Sequence, residues 1–322
     1  MRTTYVTDTR RSFRLARLGV TLLECLCVFA ILAVVFGLLL CAGQKVRQRA
    51  ALLKCSSQLK QIGIALHLHH QTHGKLPAGT TAPQTSVTTN PLGGQIFHSM
   101  PFLVSILPAI DENLYREAIH DHSIDPTGVD SQVHRLLYTK VALYVCPADD
   151  PNRKANAMFS DFGPTSYLGV SGLNSFRRDG LLYQQSAHSF GDIRDGLSNT
   201  LLIGERPHSF DFDYPRGIWY GGRPIGIQGG SANSFLGVRE DGVLSMVSHP
   251  SQTSLDCPDG PYRFQPGSFR NPCSAFHFWS LHPGGANFVF ADGSVRFLPY
   301  SAADILPALA SRAGGEVVSV DW

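Results

Sequence analysis

Charge is scarce in this chain and almost cancels. Its 322 residues carry 27 Lys plus Arg against 25 Asp plus Glu, a net charge of +2 with histidine neutral. No basic stripe alternates with aromatics, so a nucleic-acid partner is not expected. No C-x₂-C pair occurs among Cys55, Cys146, Cys257 and Cys273, which argues against a zinc knuckle. The glycines from Gly221 to Gly230 are not followed by Lys-Ser/Thr, so they do not make a phosphate loop. Gly169-Val170-Ser171-Gly172 lacks the G-x-S-x-G frame of a nucleophile elbow, and Ser198 sits among turn formers where local backbone bonding explains it. With these signatures missing, no enzyme is expected. Internal repeats and low-complexity tails are absent too, and only one long apolar run occurs.

That run is Val20 to Ala42, broken only by Thr21, Glu24 and Gly37. About 20 such residues cross the hydrocarbon core of a bilayer, at ~1.5 Å per residue. Arg2, Arg10, Arg11, Arg14 and Arg17 precede it, but Lys45, Arg47, Arg49 and Lys54 follow closely, so charge alone leaves the orientation balanced. A secretory signal would have a shorter, uncharged apolar region and a better cut site than Leu40-Cys41-Ala42. A lipoprotein signal would want a small residue before its cysteine, where Leu40 stands. A plain signal anchor is the simplest alternative, yet it leaves a carboxylate inside the span unexplained.

The segment Arg17-Leu18-Gly19-Val20-Thr21-Leu22-Leu23-Glu24 resembles the leader of type IV prepilins and pseudopilins. The resemblance implies cleavage by a prepilin peptidase after Gly19, methylation of the new N-terminus at Val20, and an assembly role for Glu24. In a filament core, a neighbouring subunit's amino group would neutralise that carboxylate. Val20 stands where the family usually has phenylalanine. The resemblance also breaks the tie in orientation, with the N-terminus cytoplasmic and the rest extracytoplasmic. Membrane lipid and other pilin-like subunits, engaged through the N-terminal helix, become the expected partners.

The helix is expected to continue past the membrane. Leu52, Cys55, Leu59, Ile62 and Leu66 recur at alternating spacings of three and four and mark one helix face. Gly74 and Pro77 then signal its end. From Val20 to His73 it would be roughly 80 Å long at ~1.5 Å per residue. Beyond it, Asp-Gly pairs (Asp179-Gly180, Asp195-Gly196, Asp241-Gly242, Asp259-Gly260, Asp292-Gly293) punctuate short apolar runs, a pattern of turns between strands. Ala142-Leu143-Tyr144-Val145, Thr200-Leu201-Leu202-Ile203 and Gly217-Ile218-Trp219-Tyr220 are the expected strands, and Pro77 to Gln95 reads as a surface loop. The expected fold class is α+β: a long N-terminal helix packed on a mainly β extracytoplasmic domain, as in pilins. The expected divisions are a leader over 1–19, a membrane half over 20–42, an outer helical half over 43–74 and a β-rich domain over 75–322.

The sharpest local element is His282-Pro283-Gly284-Gly285-Ala286-Asn287-Phe288-Val289-Phe290-Ala291-Asp292-Gly293-Ser294-Val295-Arg296-Phe297-Leu298. Two alternating runs flank Asp292-Gly293, the pattern of a type I′ hairpin. With it the chain resembles the prepilin-leader proteins of unknown function that end in an H-x₉-D-G motif, here His282, Asp292 and Gly293. Matching pieces in order are Cys55-Ser56-Ser57-Gln58-Leu59-Lys60-Gln61-Ile62-Gly63, Cys146-Pro147-Ala148-Asp149, Asp195 through Glu205, and Arg312 through Val318. Relatives usually carry a proline at the membrane exit, where this chain reads Leu40-Cys41-Ala42-Gly43-Gln44.

Three further groups of residues bear on chemistry. His67, His69, His70 and His73 crowd the helix end with ligand-like spacing, but no Glu follows the first histidine as in metalloprotease helices. A polar helix terminus is the expected reading. His282 and Asp292 fall at opposite ends of a strand and are not expected to touch. No metal site or cofactor is expected; major pseudopilins often bind calcium near the C-terminus, and resemblance to them makes Asp292 a calcium candidate. Cys25, Cys27 and Cys41 act as small apolar residues of the span. The other four cysteines allow three pairings in an oxidising space, and the expected disulfides are Cys55–Cys146 and Cys257–Cys273.

Two functions fit. One is a pilin-like structural subunit, processed at its leader and assembled into a secretion pseudopilus or fibre. The alternative is an anchored extracytoplasmic module that binds glycan or envelope polymer, for which Trp219, Tyr220, Trp279 and Tyr300 would serve if exposed.

Overall fold

The structure is a computed structural model, and it describes residues 21–81, 88–89, 95–96, 100–124, 133, 135–150, 162–208, 217–220, 234–241, 257–258 and 260–316. The leader with Gly19, the adjoining Val20, most of the Pro77–Gln95 stretch, the Gly221–Gly230 glycines, Gly242 and Asp259 lie outside the described residues. The chain divides into two compact units, Met1–Arg47 and Gln48–Trp322.

In the first unit the apolar run forms the start of helix α1, which is assigned over Leu22–His73. Thr21 opens it with a capping box. The Glu24 N–H donates to Thr21 Oγ1 at 3.3 Å, and Glu24 Oε2 accepts from the Thr21 N–H at 2.8 Å. Glu24 therefore satisfies a helix end that would otherwise leave its first donors bare. Leu22, Phe29, Val34 and Leu38 are among the exposed apolar side chains of this half, which is long and apolar enough to cross a membrane.

The second unit is built on the outer half of α1. Cys55, Leu59, Ile62 and Leu66 are all buried, with Leu52 half-buried at the start of the stripe, as the three-and-four spacing predicts. The helix stops at Gly74, whose φ of 74° supplies the left-handed closing residue while its N–H bonds the His70 carbonyl at 2.8 Å. Strands β1 (Thr88–Thr89) and β2 (Gln95–Ile96) pair with each other. Two short helices follow, α2 (Phe102–Ser105) and α3 (Glu112–Ile124).

The sheet is mixed and five-stranded. Its strands are β3 (Tyr167–Val170), β4 (Leu201–Glu205), β5 (Phe235–Leu236), β8 (Gly285–Phe290) and β9 (Val295–Pro299), in the order β5-β3-β4-β8-β9. Only the β3–β5 pair is parallel. A separate ribbon pairs β6 (Arg239–Glu240) with β7 (Tyr262–Arg263), and α4 (Leu306–Ala310) closes the described fold. Both faces of the sheet are covered. Alternation along β8 sends Val289 toward the cluster that contains Cys55, Leu59 and Ile62, and sends Ala286, Phe288 and Phe290 toward a second cluster with Leu306 and Leu309. Among its described residues the second unit is thus α+β, with one five-stranded sheet, two two-stranded ribbons and many short helical turns.

Three expected local features differ. Ala142–Tyr144 is a 3₁₀ turn, since the Tyr144 carbonyl accepts from Ser166 N–H and Thr165 Oγ1 at single points and no ladder continues it. Among the described residues Gly217–Tyr220 makes one bridge, Ile218 to Pro164, and proline has no N–H with which to extend pairing. The β8–β9 turn is not type I′. Gly293 has a φ of 77° but Asp292 keeps an ordinary negative φ, and the loop holds three residues, Ala291-Asp292-Gly293. That is a type I turn closed by a left-handed glycine.

Candidate functional site

The face of the sheet covered by α1 carries the polar site. Glu205 follows Ile203 by two residues on β4, so alternation turns both to the helix. Cys55 lies one helical turn before Leu59 on the buried stripe of α1. Cys146 follows the 3₁₀ turn and is held by its N–H to Ser166 Oγ at 3.1 Å. Asp149 completes that corner: its N–H bonds the Cys146 carbonyl at 2.8 Å, and its carboxylate accepts from Ser166 and from buried His208. His282 sits in the tight loop before β8, where Ser280 Oγ accepts the His282 N–H at 3.0 Å and donates to the Gly285 carbonyl at 2.6 Å.

These four segments bring Cys55, Cys146, Glu205 and His282 together, with their ligand-type atoms all within 4.8 Å of one another. Cys146 Sγ lies 3.2 Å from His282 Nε2, and Glu205 Oε1 lies 3.5 Å from the same nitrogen. The Cys55 thiol bonds Glu205 Oε1 and stands 3.1 Å from Tyr167 Oη. Glu205 Oε2 accepts the Asn287 N–H at 2.5 Å. All four are buried: Cys146 is 5% and His282 4% exposed, too little for a substrate to reach either.

The electrostatics follow from crowding without water. Burial pushes the Cys55 thiol far up, aided by its hydrogen bond to Cys146 and by the Glu205 charge. The bond from Cys55 and the one to His282 hold Cys146 below the ordinary thiol range against its own burial. Burial opposes protonation of His282, but the bonds and charges of Cys146 and Glu205 outweigh it and raise its pKa to about 10.

The sequence expectations meet this geometry unevenly. Cys257 and Cys273 are joined as a disulfide, as expected. Cys55 and Cys146 are not joined as the expected disulfide; both are free thiols, in hydrogen-bond contact with each other, with Cys55 also bonded to Glu205 and Cys146 beside His282. His282 and Asp292 do not meet. Asp292 Oδ1 accepts the Ser294 N–H at 2.8 Å and its other oxygen lies 3.9 Å from Arg296, so the turn accounts for it without a cation. The helix-end histidines work separately: His67 Nε2 is 3.0 Å from the Ala291 carbonyl, His70 Nε2 accepts from Phe190 N–H, and His69 stacks on His73. Glu205 was not singled out from the sequence. Its signal lay in the motif pieces, since each of the Cys55, Cys146, Glu205 and His282 pieces carries one member of the quartet.

The fold and site define an α+β chain with one long, apolar-ended helix clamped to a mixed sheet over a buried polar cluster. A family model described as "Protein of unknown function (DUF1559)" matches residues 44–304, and the chain belongs to that family. That span contains all four clustered residues and excludes Gly19, Val20 and Glu24. Neither the curated proteins nor the solved structures contain a match to the chain.

Proposed function

We propose that this protein is a pilin-like structural subunit, anchored in the cytoplasmic membrane by the first half of α1 and carrying its sheet domain on the extracytoplasmic side. The observation that supports this reading is the division of labour within α1. Its first half is apolar and exposed, whereas Cys55, Leu59, Ile62 and Leu66 of its second half are built into the domain core. A helix with that division can hold a membrane and a domain at once. Leu53, Ile64 and Leu68 add a second, exposed apolar stripe, which at 100° per residue falls opposite the buried one. Such a stripe suits contact with the helices of neighbouring subunits. Prepilin peptidase would act after Gly19, and Glu24 would serve both its own helix cap and the amino group of the next subunit.

The glycan-binding alternative loses the observation that favoured it. Trp219, Tyr220 and Trp279 are buried core residues, and Tyr300 is half-buried against Phe264. The quartet does not offer a catalytic relay either. Cys146 and Glu205 approach the same nitrogen of His282, whereas a nucleophile and its orienting acid need opposite ring nitrogens.

Intact mass and N-terminal sequence of the protein from its native membrane test the proposal. A mature chain beginning at methylated Val20, with assembly lost in Glu24→Ala, is the expected result. An uncut chain beginning at Met1 would overturn it.

A further inference from the structure

We propose that Cys55, Cys146, Glu205 and His282 form a structural zinc site, closed and four-coordinate, that ties helix α1 to the sheet. The inference stands apart from the membrane reading, because all four residues belong to the second compact unit.

The first argument is convergence. Four side chains of ligand type come from a helix, a loop, a strand end and a pre-strand loop, and meet in a buried space without any local motif to force them together. A tetrahedral zinc with bonds of about 2.0–2.3 Å has ligand-to-ligand edges of roughly 3.3–3.8 Å. The His282–Glu205 separation of 3.5 Å matches a nitrogen–oxygen edge within about 0.2 Å, and the Cys146–His282 separation of 3.2 Å is about 0.3 Å shorter than a sulfur–nitrogen edge, so small side-chain shifts admit the ion. Two acidic ligand atoms crowd one imidazole nitrogen, an arrangement natural around a shared cation.

The second argument is chemistry. Two sulfurs exclude calcium and magnesium, which take oxygen shells, and a mixed sulfur, nitrogen and oxygen set suits zinc. Binding removes every proton held on the two sulfurs and on His282 Nε2, forms two Zn–S bonds, one Zn–N bond and one Zn–O bond, and releases those protons and the aqua ligands of zinc to solvent; nothing is oxidised. Four protein ligands in a buried space leave no position open for water or substrate, which marks a structural centre. The surroundings supply the outer shell that metal ligands need. Asn287 N–H holds the far oxygen of Glu205, and Tyr167 Oη stands beside the Cys55 sulfur while donating to Gln58 Oε1 at 3.0 Å.

The test uses the full-length protein in detergent, loaded with zinc and separately with Co²⁺ as a coloured substitute. About one metal per chain is expected, with sulfur-to-cobalt charge-transfer absorption and the intense visible bands of tetrahedral cobalt. Cys55 and Cys146 should resist alkylation until a chelator is added, and chelation should lower the thermal midpoint by about 10 °C. His282→Ala should abolish stoichiometric binding. Tyr167→Phe preserves volume and should keep the stoichiometry while weakening affinity about 10-fold, a readout independent of whether the His282 variant folds. A Cys55–Cys146 disulfide in the peptide map of the native protein would overturn the proposal. So would protein free of metal after reconstitution, or alkylation of both thiols at the same rate with and without chelator.

Discussion

Lys60 Nζ donates to the carbonyl of Gly293 at 2.6 Å, fastening helix α1 to the tip of the β8–β9 hairpin. Seven residues along the helix, His67 reaches the Ala291 carbonyl at 3.0 Å, and between them Gly63 lets the helix settle on Val289. At the other end of β8, His282 meets the cluster that contains Cys55. From Cys55 to His67 is about 18 Å of helix, and β8 covers about 17 Å of strand, so the two run side by side over matching lengths. The H-x₉-D-G spacing thereby gains a physical meaning: its turn grips the helix at Lys60, and its histidine joins the cluster that holds Cys55 further back along the same helix.

Replacing Gly293 with alanine is expected to loosen that grip. Its φ of 77° disfavours any side chain, and a Cβ would stand 3.2 Å from His67 Nε2. The expected loss is about 1–2 kcal/mol in denaturant unfolding, with Asp292→Asn much milder because its oxygen can still accept from Ser294. Equal losses from the two variants would show that turn conformation is not what matters there.

The parts of this arrangement with short-range periodicity were legible in the sequence. The α1 stripe repeats every three or four residues, its end has Gly74, and the Asp-Gly turn lies between alternating runs. The apolar run Ala142–Val145 misled because four such residues fit a strand or a helical turn equally well, and only the absence of a neighbouring ladder decides. The quartet was hidden for a different reason. Its members are far apart in the chain, and no local spacing relates them. Cysteine pairing in an oxidising space offered a simpler use for two of them, and Glu205 at the end of an apolar strand looked like its boundary.

Gly204 is expected to be intolerant of even a methyl group. An added Cβ would fall 2.5 Å from Phe288 Cε1 and 2.7 Å from Phe278 Cδ1, between rings that are already in contact in a buried layer. Overpacking of this kind costs about 1–3 kcal/mol. Gly204→Ala should unfold at correspondingly lower urea, and it should displace the adjacent Glu205 enough to weaken binding of zinc. An unfolding midpoint equal to that of the parent would show that the aromatic layer yields.

Stability should depend on pH through two buried groups that pull in opposite directions. Burial raises Glu240 to about 7 despite hydrogen bonds from Ser175 and Gly237, so the native state holds its proton more tightly than the unfolded chain. Its contribution is full below the ordinary carboxylate range and is lost as pH rises through about 7. Burial lowers His277 to about 4, so its contribution is full above the ordinary imidazole range and is lost as pH falls through about 4. Each amounts to about 3 kcal/mol, and between pH 4.5 and 6.5, the ordinary values of the two groups, they nearly cancel. Glu240→Gln should therefore expose a stability that climbs with pH across that window, and His277→Asn one that falls. Urea unfolding of each variant at several pH values measures the slopes, and parallel slopes in the two would contradict the assignment.

The Cys257–Cys273 disulfide should account for all of the stability that a reductant removes. It closes a loop of sequence separation 16 beside a small cluster of Tyr262 and Phe276. Loop-closure entropy assigns such a bridge about 3 kcal/mol. Replacing both cysteines with serine should therefore lower unfolding free energy by about that amount, and reductant should lower the parent to the same level. The informative comparison is reductant added to the double variant. Cys55 and Cys146 are free thiols in the structure, so no further loss is expected there. A second loss would mean that these two sulfurs are bonded to each other in the native protein, and the buried quartet would then be a covalent staple instead of a set of ligands.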